Sequence, residues 1–336
     1  MEVRTLTFDD ERWKMFVDSF PGVNIFHSPE MMRVFSLSEG FEVLPLFAMD
    51  AQEVVAAAFP VMVKINYPLP GKFKNRVIMY ASPLYRPNAQ GREGVDHIMQ
   101  HLEDGFCRKA LFLEIRNSEK FPGDAEIARL KGYEYIPYQN YLLSLKEGAD
   151  ALLKSFSTFT RNHIRKAEKK SCVIREIADP ELDTVVELIE HLYRRKKVPV
   201  INRTVFFNAY AVLRPHHQIR AIVAELDSKI IAARISLNYG HTVYDWYAAS
   251  DPEFNNCFPN EALAWDTMRW GCDNGYHLFD FGGGAVRGQY YGPAKFKEKF
   301  KGELVEYGRY RFTRQKLLYG IARKLYELRT SRTPKK

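Results

Sequence analysis

The sequence predicts an α/β protein that folds as two similar domains, each with a mixed sheet and interleaved helices. Its 336 residues exceed the roughly 100–200 residues of one domain. Residues 47–61 and 224–237 share one pattern, in which two apolar strands flank a turn that contains Asp and a Val-Val-Ala-Ala or Ile-Ile-Ala-Ala run. This hairpin recurs within the same order of elements, so an internal duplication is the simplest explanation.

The remaining elements of the two copies also correspond. Each copy is predicted to run from a helix through the hairpin to a strand, a second helix and a last strand. The last three elements are 77–83, 92–107 and 112–115 in the first copy, and 243–252, 260–274 and 278–281 in the second. We therefore predict an N-terminal domain at 1–150, a second domain at 151–315, and a basic C-terminal helix and tail at 316–336.

The connection between the copies is predicted to be helical. Ser157 or Thr158 is a suitable cap, and residues 161–170 contain neither Gly nor Pro. A strand at 173–177 follows, and then a helix at 181–197 that Asp179 would cap, with Pro180 in its first turn. The last helix, 314–328, carries an apolar stripe that we expect to dock on the protein: Leu317, Leu318, Ile321, Leu325 and Leu328.

Composition excludes several classes of protein. Hydrophobic residues make up 46% and aromatic residues 14% of the chain, which is enough for a folded core. The first residues lack a basic and then apolar signal pattern, and the apolar run at 54–63 contains Pro60 and is too short to span a membrane. A cytoplasmic protein is therefore expected. The four scattered cysteines and the lone His97 and His101 pair predict neither a disulfide framework nor a metal site.

The net charge of +8 is concentrated in two places. Residues 295–336 hold fourteen basic and four acidic residues, and a second cluster lies at 161–170, with Arg161 and Arg165 among its members. Such clusters attract RNA, nucleotides or an anionic membrane surface. The alternative is a solvated helix face and a basic tail.

Known catalytic signatures are missing, but three features remain. The sequence has no Gly-x-Ser-x-Gly, no Gly-x-x-x-x-Gly-Lys-Ser/Thr and no His-Glu-x-x-His motif. The first feature is Asp245 and Tyr247, which strand alternation would place on one face of the strand 243–249. This pair could position a substrate amine or transfer a proton, or it could be a hydrogen-bonded buried pair.

The second feature is Asn260, which precedes a helix and could cap it or help its free N–H groups to bind an anion. The third feature is the segment 279–302, where a strand ends in three glycines and a loop leads to a short basic helix. Glycines after a strand permit close approach of a ligand. The candidate residues of this segment are Gly283, Arg287, Tyr290, Lys295 and Lys297.

Several segments together resemble the Fem-type peptidyltransferases and their GNAT-like acyltransferase relatives, and the resemblance covers roughly residues 26–311. The segments that carry it are residues 24–30, residues 158–176, Arg195-Lys-Lys-Val-Pro199, Pro259-Asn260, Phe279-Asp-Phe-Gly-Gly283 and Phe296-Lys-Glu-Lys-Phe-Lys-Gly302.

The resemblance implies two tandem GNAT-like domains and transfer of an acyl or aminoacyl group to an amine. It places the active-site lysine of the family at Lys297. It also implies that basic residues at Arg33 and Arg195 bind phosphates of the acceptor. In this interpretation Lys297, Asp245 and Tyr247 are catalytic residues of the second domain, and the first domain shapes the acceptor cleft.

The donor and the acceptor stay open. No cofactor is expected to bind tightly, and acyl-CoA or aminoacyl-tRNA would be the co-substrate. The Arg/Gln-x-x-Gly-x-Gly/Ala loop of common CoA-binding GNAT proteins is absent before Asn260, and so is the long coiled-coil insertion of many Fem-type enzymes.

Three functions therefore remain. The first is a Fem-type transferase acting on a phosphate-bearing or amine acceptor of the cell envelope, with a possible peripheral contact at the inner membrane surface. The second is a CoA-dependent N-acyltransferase of a small molecule. The third is a non-enzymatic protein that binds RNA or a membrane surface. The oligomeric state cannot be predicted from the sequence.

Overall fold

The chain divides into two compact mixed α/β units, which confirms the predicted fold class. The computed structural model describes residues 1–64, 75–117, 130, 132–288, 292–317, 319–321 and 323–324. One unit comprises Met1–Pro137 and Tyr307–Lys336, and the other comprises Tyr138–Glu306.

The strands in the described residues include both predicted hairpins. The hairpin strands are β3 and β4 in the first copy and β12 and β13 in the second. In chain order the strands are β1 (Glu2–Arg4), β2 (Phe41–Val43), β3 (Leu46–Asp50), β4 (Glu53–Ala58), β5 (Pro60–Lys64), β6 (Asn75–Met79), β7 (Leu84–Tyr85), β8 (Leu113–Arg116), β9 (Glu134–Ile136), β10 (Gln139–Ser144), β11 (Val173–Glu176), β12 (Ile219–Leu226), β13 (Lys229–Tyr239), β14 (Thr242–Ser250), β15 (Leu278–Asp280), β16 (Glu303–Glu306) and β17 (Arg309–Phe312).

The helices confirm most of the predicted positions. The linker helix begins after Ser157, whose hydroxyl accepts a hydrogen bond from the backbone N–H of Thr160 at 3.1 Å. The α-helices are α1 (Glu11–Asp18), α2 (Pro29–Ser36), α3 (Ala89–Asp104), α4 (Ala149–Ser155), α5 (Thr158–Lys169), α6 (Leu182–Lys196), α7 (Thr204–Leu213), α8 (Pro259–Asp273) and α9 (Gly292–Glu298).

The start of α6 differs from the prediction. Asp179 does not cap it, because a 3-10 turn at Asp179–Glu181 precedes the helix. The Asp179 carboxylate instead forms an ion pair with Arg214 and accepts a hydrogen bond from Tyr210. Tertiary partners have therefore drawn the acidic side chain away from the helix end.

In the first unit the strands form two sheets, ordered β1-β3-β4-β7 and β2-β5-β6-β8-β17-β9. Helix α3 packs its buried face, including Val95, Ile98 and Leu102, into the core of this unit. The pair β6 and β8 is parallel, with Val77 opposite Leu113. Burial of these apolar side chains supplies the main driving force for folding.

A buried carboxylate also lies in the first unit. Glu114 on β8 is 4% exposed and accepts hydrogen bonds from Arg116, Arg309 and Arg311 at 3.0, 3.1 and 2.7 Å. Burial raises the pKa of this carboxyl, but the three guanidinium groups outweigh burial and lower the pKa to about 2. The carboxylate therefore ties the late strand β17 to β8.

The second unit contains one sheet, ordered β11-β12-β13-β14-β15-β10-β16. Its parallel pair is β14 and β15, with Val243 opposite Phe279. This pair corresponds to β6 and β8, so the strand pairing repeats the duplication read in the sequence. Helices α5 and α8 cover one face through Ala167 and Leu263.

The unit boundaries differ from 1–150 and 151–315. Strand β10 pairs with β15 and β16, whereas β17 pairs with β8 and β9. A strand before the predicted boundary thus completes the second unit, and a strand after residue 306 completes the first. Local sequence does not specify this exchange, because backbone hydrogen bonds to distant strands determine it.

The C-terminal residues are helical at 316–317, 319–321 and 323–324. The predicted docking of the apolar stripe is wrong for Leu317 and Ile321, which are 86% and 56% exposed. Tyr319 packs instead, with its ring 5.7 Å from that of Phe112. Leu318, Leu325 and Leu328 lie outside the described residues. None of the described helices is long and apolar enough to cross a membrane.

Candidate active site

Strand β14 contains a β-bulge that separates the two predicted catalytic residues. Ser236 on β13 is opposite Asp245, but the adjacent Ile235 is opposite Tyr247. Trp246 is therefore the extra residue of the bulge. Because Ser236 and Ile235 point to opposite faces, Asp245 and Tyr247 do so as well. The prediction that they share a face is wrong.

The Tyr247 ring lies on the face of the sheet that α6 and α7 cover. Its centroid is 4.8 Å from that of Phe206 on α7, in an edge-on arrangement, and 5.8 Å from that of Tyr193 on α6. These contacts describe an aromatic cluster around Tyr247. The predicted catalytic role of Tyr247 stays a prediction.

Asp245 lies against Arg234 of β13 on the opposite face. The Arg234 Nη1 atom is 2.6 Å from Asp245 Oδ1, and the arginine side chain is 2% exposed. The two groups are not aligned as a hydrogen bond, and Arg234 Nε has no hydrogen-bond partner in the described part of the chain. A buried ion pair of this kind is costly unless its remaining polar atoms are satisfied.

The strands β14 and β15 separate beside this pair. Their parallel pairing ends at Tyr244 and Asp280, although β14 continues to Ser250. The chain then enters the glycine segment, Gly282 to Gly284. This segment hydrogen-bonds to β10, since the N–H of Gly284 donates to the Gln139 carbonyl at 2.7 Å. The backbone edge of β14 after Tyr244 is consequently not paired with β15.

Two glycines fix the path of the chain at this point. Gly282 has φ +72°, and a Cβ atom there would lie 2.7 Å from the carbonyl oxygen of Asp245. Gly283 has φ +102°, and its N–H donates to Asn140 Oδ1 at 2.7 Å. Glycine is needed because a side chain would be strained at both positions and would collide at the first.

Asp280 is a buried carboxyl at the end of β15. Its Oδ1 accepts hydrogen bonds from Asn140 Nδ2 and from the N–H of Gly282, both at 2.7 Å. Burial raises the pKa of Asp280, and these two hydrogen bonds and the Lys297 charge oppose the rise. Asn140 therefore joins Asp280 to Gly283.

Lys297 on α9 reaches into the same network. Its ammonium donates to the carbonyl oxygen of Phe281 at 2.5 Å and to that of Gly283. Burial lowers its pKa to about 8; the charges of Asp245 and Asp280 raise it, and that of Arg234 lowers it. The group is therefore mostly protonated at neutral pH, and it has a third proton to donate.

The structure thus brings Lys297, Gly283 and Asp245 into one electrostatic neighbourhood. Sequence reasoning missed Arg234, Asn140 and Asp280 as members of the site. A signal existed for Arg234, because an arginine inside the otherwise apolar run Ile230-Ile-Ala-Ala-Arg-Ile is unusual on a central strand. Asn140 has no comparable signal, since it comes from the exchanged strand β10.

The predicted binding residues of α5 have other surroundings. Arg161 donates to the carbonyls of Lys154 and Phe156 at 2.8 and 2.6 Å, and so satisfies the end of α4. Arg165 is exposed. Arg195 at the end of α6 is exposed as well, and its charge helps to lower the pKa of the Asp251 carboxyl.

Asn260 is the second residue of α8 and not its cap. The cap position is Phe258, which has a positive φ of 55° and no side-chain hydrogen bond to the helix. The Asn260 amide donates to Ser250 Oγ at 2.8 Å and so links the helix to the end of β14. Its predicted binding role stays a prediction.

The other candidates flank the glycine segment or lie in the first unit. Arg287 is 2.5 Å from Glu306, and Lys295 is exposed. Tyr290 lies outside the described residues. In the first unit Arg33 forms an ion pair with Asp9 at 2.8 Å.

The comparison with protein families assigns the class. Residues 154–298 match the model described as an acetyltransferase (GNAT) domain. This range includes β14, β15, the glycine segment and Lys297. The matched domain is therefore an acyltransferase domain of the GNAT type, which confirms the enzyme class predicted from the sequence.

Similar solved structures have the tandem form of this fold. The chain is similar to FemX, with a TM-score of 0.72 and 16% identity over 96% of this chain and 99% of that one. A tandem GNAT protein from the clavulanic acid biosynthesis pathway gives a TM-score of 0.59 and 14% identity over 93% and 98%.

A third similar structure is the C-terminal domain of a putative lysylphosphatidylglycerol synthetase from Agrobacterium fabrum. It gives a TM-score of 0.59 and 12% identity over 95% of both chains. No curated protein sequence matches this chain. At these identities the structural likeness concerns the fold, and it confirms the resemblance to Fem-type and GNAT-like proteins at that level.

Proposed function

We propose that the second unit transfers an acyl or aminoacyl group from an activated donor, acyl-CoA or aminoacyl-tRNA, to an amine of a cell-envelope or related acceptor. The observation that carries the proposal is the buried Lys297 ammonium, which the Phe281 and Gly283 carbonyls hold where β14 and β15 separate. A fixed cation in a partly dry site is suited to stabilise the oxyanion of acyl transfer.

The chemistry needs no covalent enzyme intermediate. The neutral amine attacks the carbonyl carbon of the donor, so a C–N bond forms and the bond to the ester oxygen or thioester sulfur breaks. Asp245 accepts the proton that the amine loses and passes it to the departing alcohol or thiol. Lys297 donates its third proton as a hydrogen bond to the carbonyl oxygen, on which negative charge develops.

The donor is the first thing to test. Purified protein is mixed with an acyl-CoA panel and, separately, with charged tRNA, and thermal stabilisation and acyl transfer to an amine panel are measured. Binding of the true donor raises the melting temperature by mass action. Transfer from neither donor class to any amine contradicts the proposed function.

The role of Lys297 needs a matched comparison. Lys297→Ala should lose at least ~100-fold in transfer rate, as expected when one oxyanion donor is removed. Lys154→Ala is the control, because Lys154 is an exposed helical lysine of the same unit. Equal rates for the Lys297 variant and the control would reject the assignment, provided that circular dichroism shows both to be folded.

We also propose a peripheral contact with an anionic membrane surface through the C-terminal helix. Leu317 and Ile321 are exposed one helical turn apart, and the neighbouring Lys316 and Lys324 are exposed cations. Apolar residues combined with lysines are typical of interfacial helices. The protein should co-sediment with phosphatidylglycerol vesicles, and Leu317→Asp should reduce this at least ~5-fold. Equal sedimentation with phosphatidylcholine vesicles would contradict the proposal.

A further inference from the structure

Arg234 is a buried cation with two nitrogen atoms that form no hydrogen bond to the described residues. Its side chain is 2% exposed, and neither Nε nor Nη1 has a hydrogen-bond partner in the part of the chain that the structure describes. An arginine pays the full desolvation penalty when buried N–H groups lack acceptors. An acceptor from a bound ligand would remove this penalty.

A comparison within the same unit shows how the charge of Arg234 differs from that of Arg220, although Arg220 Nη1 also lacks a hydrogen-bond partner among the described residues. Arg220 on the neighbouring strand β12 has a side chain that is 11% exposed, and it donates to Glu176 at 2.8 Å and to Asp266 at 3.0 Å. Two carboxylates in good alignment thus compensate the charge of Arg220. Among the described residues, Arg234 forms one ion pair, with the Asp245 carboxylate, and the two groups are misaligned.

That carboxylate is incompletely satisfied as well. Asp245 Oδ1 is buried and has no hydrogen-bond partner among the described residues, although it is 2.6 Å from Arg234 Nη1. The site therefore holds N–H donors and a carboxylate oxygen side by side that are ion-paired but make no hydrogen bond to the described residues. A ligand that fits must offer an acceptor and a donor with the same short separation.

Charge narrows the class of ligand. Arg234 and Lys297 are cations, and Asp245 and Asp280 are the carboxyl groups that act on Lys297. The formal charges of these four groups cancel. A bound phosphate, simple amine or simple carboxylic acid would therefore leave a net charge in the buried site. A zwitterion adds none and satisfies both kinds of group.

Asp245 is the member of the pair that lies at the free part of β14. The strand continues for six residues after its last pair with β15, and Asp245 is the first of these residues. The Asp245 side chain is 11% exposed, so it is reached from solvent. Gly282 adds no side chain beside the Asp245 carbonyl oxygen, from which a Cβ atom would be 2.7 Å away.

We propose that Arg234 and Asp245 bind the α-amino-carboxylate group of the acceptor, with the carboxylate on Arg234 and the amine at Asp245. This deepens the proposed function: the ammonium group that Asp245 holds first loses one proton to water, and the resulting neutral amine attacks the donor. The acceptor class is thus an α-amino acid, free or as the terminal group of a larger molecule. The carboxylate is not consumed and serves only to orient the amine.

Binding is tested without a donor, so that the result does not depend on transfer. The probes are a panel of L- and D-amino acids and diamino acids, each paired with the amine and with the carboxylic acid that lack one of the two groups. Calorimetry should show at least one amino acid that binds at least ~10-fold more tightly than both of its partners. Failure of every amino acid at millimolar concentration overturns the proposal.

Variants assign the carboxylate to Arg234. Arg234→Met should lower the affinity for that amino acid at least ~10-fold and abolish the preference over the amine, and Arg234→Lys should restore part of it. The double variant Arg234→Met with Asp245→Leu removes both charges, which avoids an unpaired buried carboxylate if the single variant fails to fold. Arg220→Met is the control and should retain the preference.

The two proposals fail in different ways. A preference for the amino acid that persists in Arg234→Met or in the folded double variant overturns the binding site but leaves acyl transfer untouched. Tight and Arg234-dependent binding without transfer from any donor supports the site and contradicts the proposed function.

Discussion

Asp245 and Tyr247 are two residues apart on β14, yet their side chains lie on opposite faces of the sheet. Trp246 is inserted between the positions that face Ser236 and Ile235. The bulge directs Asp245 towards Arg234 and directs Tyr247 towards Phe206. It also coincides with the point where β14 loses its partner β15, so one backbone irregularity both opens the site and selects the side chain that enters it.

The separation of these residues predicts different consequences of their replacement. Asp245→Asn keeps the shape of the side chain but removes the base, so the transfer rate should fall ~100-fold or more. Tyr247→Phe should change the rate less than ~3-fold, because Tyr247 lies on the face opposite Asp245. Initial rates at saturating donor and acceptor measure both effects. Equal losses in the two variants would restore Tyr247 as a catalytic candidate.

The elements of this fold could be predicted where periodicity is local. The hairpins β3–β4 and β12–β13 and the helices α3, α5 and α8 follow from apolar spacing, turn residues and one serine cap. Lys297 could be selected because glycines and a lysine helix follow a strand, and because of the family resemblance. These signals reside within about twenty residues of one another.

The rest depends on contacts between distant residues. The bulge at Trp246 is defined by its partner strand, and nothing in the alternation of residues 243–249 marks it. Asn140 enters the site only because β10 pairs with β15. Its hydrogen-bond partner there, Asp280, lies 140 positions further along the chain. The exposure of Leu317 has a similar origin, since Tyr319 rather than the apolar stripe contacts Phe112.

The burial of Lys297 predicts a pH dependence of stability. Its pKa is about 8 in the folded chain and 10.5 ordinarily, so the folded state binds fewer protons than the unfolded state between these pH values. The penalty for holding the charged ammonium is fully present below pH 8 and is relieved as the pH rises towards 10.5. Relative to Lys297→Met, the wild-type free energy of unfolding should therefore rise by roughly 3 kcal/mol over this window.

Urea unfolding of both chains at pH 7, 8, 9 and 10 measures this difference. Other lysines and tyrosines titrate equally in the two chains, and subtraction removes their contribution. A difference that stays constant with pH would mean that Lys297 is not desolvated in the folded chain.

The glycine segment predicts a steric effect that a second glycine can isolate. Gly282 and Gly288 have φ values of +72° and +79°. A Cβ at Gly282 would lie 2.7 Å from the Asp245 carbonyl oxygen, whereas a Cβ at Gly288 would have no atom of the described residues within 4 Å. Gly288→Ala should cost about 1 kcal/mol from backbone strain alone. Gly282→Ala should cost about 1–3 kcal/mol more, because the carbonyl has to move.

Chemical denaturation measures the free energy of unfolding of both variants, and transfer assays measure whether the transfer rate changes as well. Since the displaced carbonyl belongs to Asp245, Gly282→Ala should also lower the transfer rate, whereas the effect of Gly288→Ala should be confined to stability. Equal destabilisation by the two substitutions would show that the contact is absent.

The buried Glu114 predicts acid sensitivity of the first unit. Its pKa is about 2 in the folded chain and 4.5 ordinarily, so its ionised form stabilises the fold at every pH above 4.5, and this contribution is lost as the pH falls towards 2. The loss should amount to roughly 3 kcal/mol relative to Glu114→Gln, which has no carboxyl to protonate.

Glu303→Gln is the matched control, because Glu303 is an exposed strand residue. Unfolding at pH 7, 5, 4 and 3 should therefore show the difference between wild type and Glu114→Gln shrinking with acidity, while that for Glu303→Gln stays near zero. A constant difference for Glu114→Gln would mean that its three arginine partners do not hold the carboxylate ionised, and that β17 is joined to β8 by strand pairing alone.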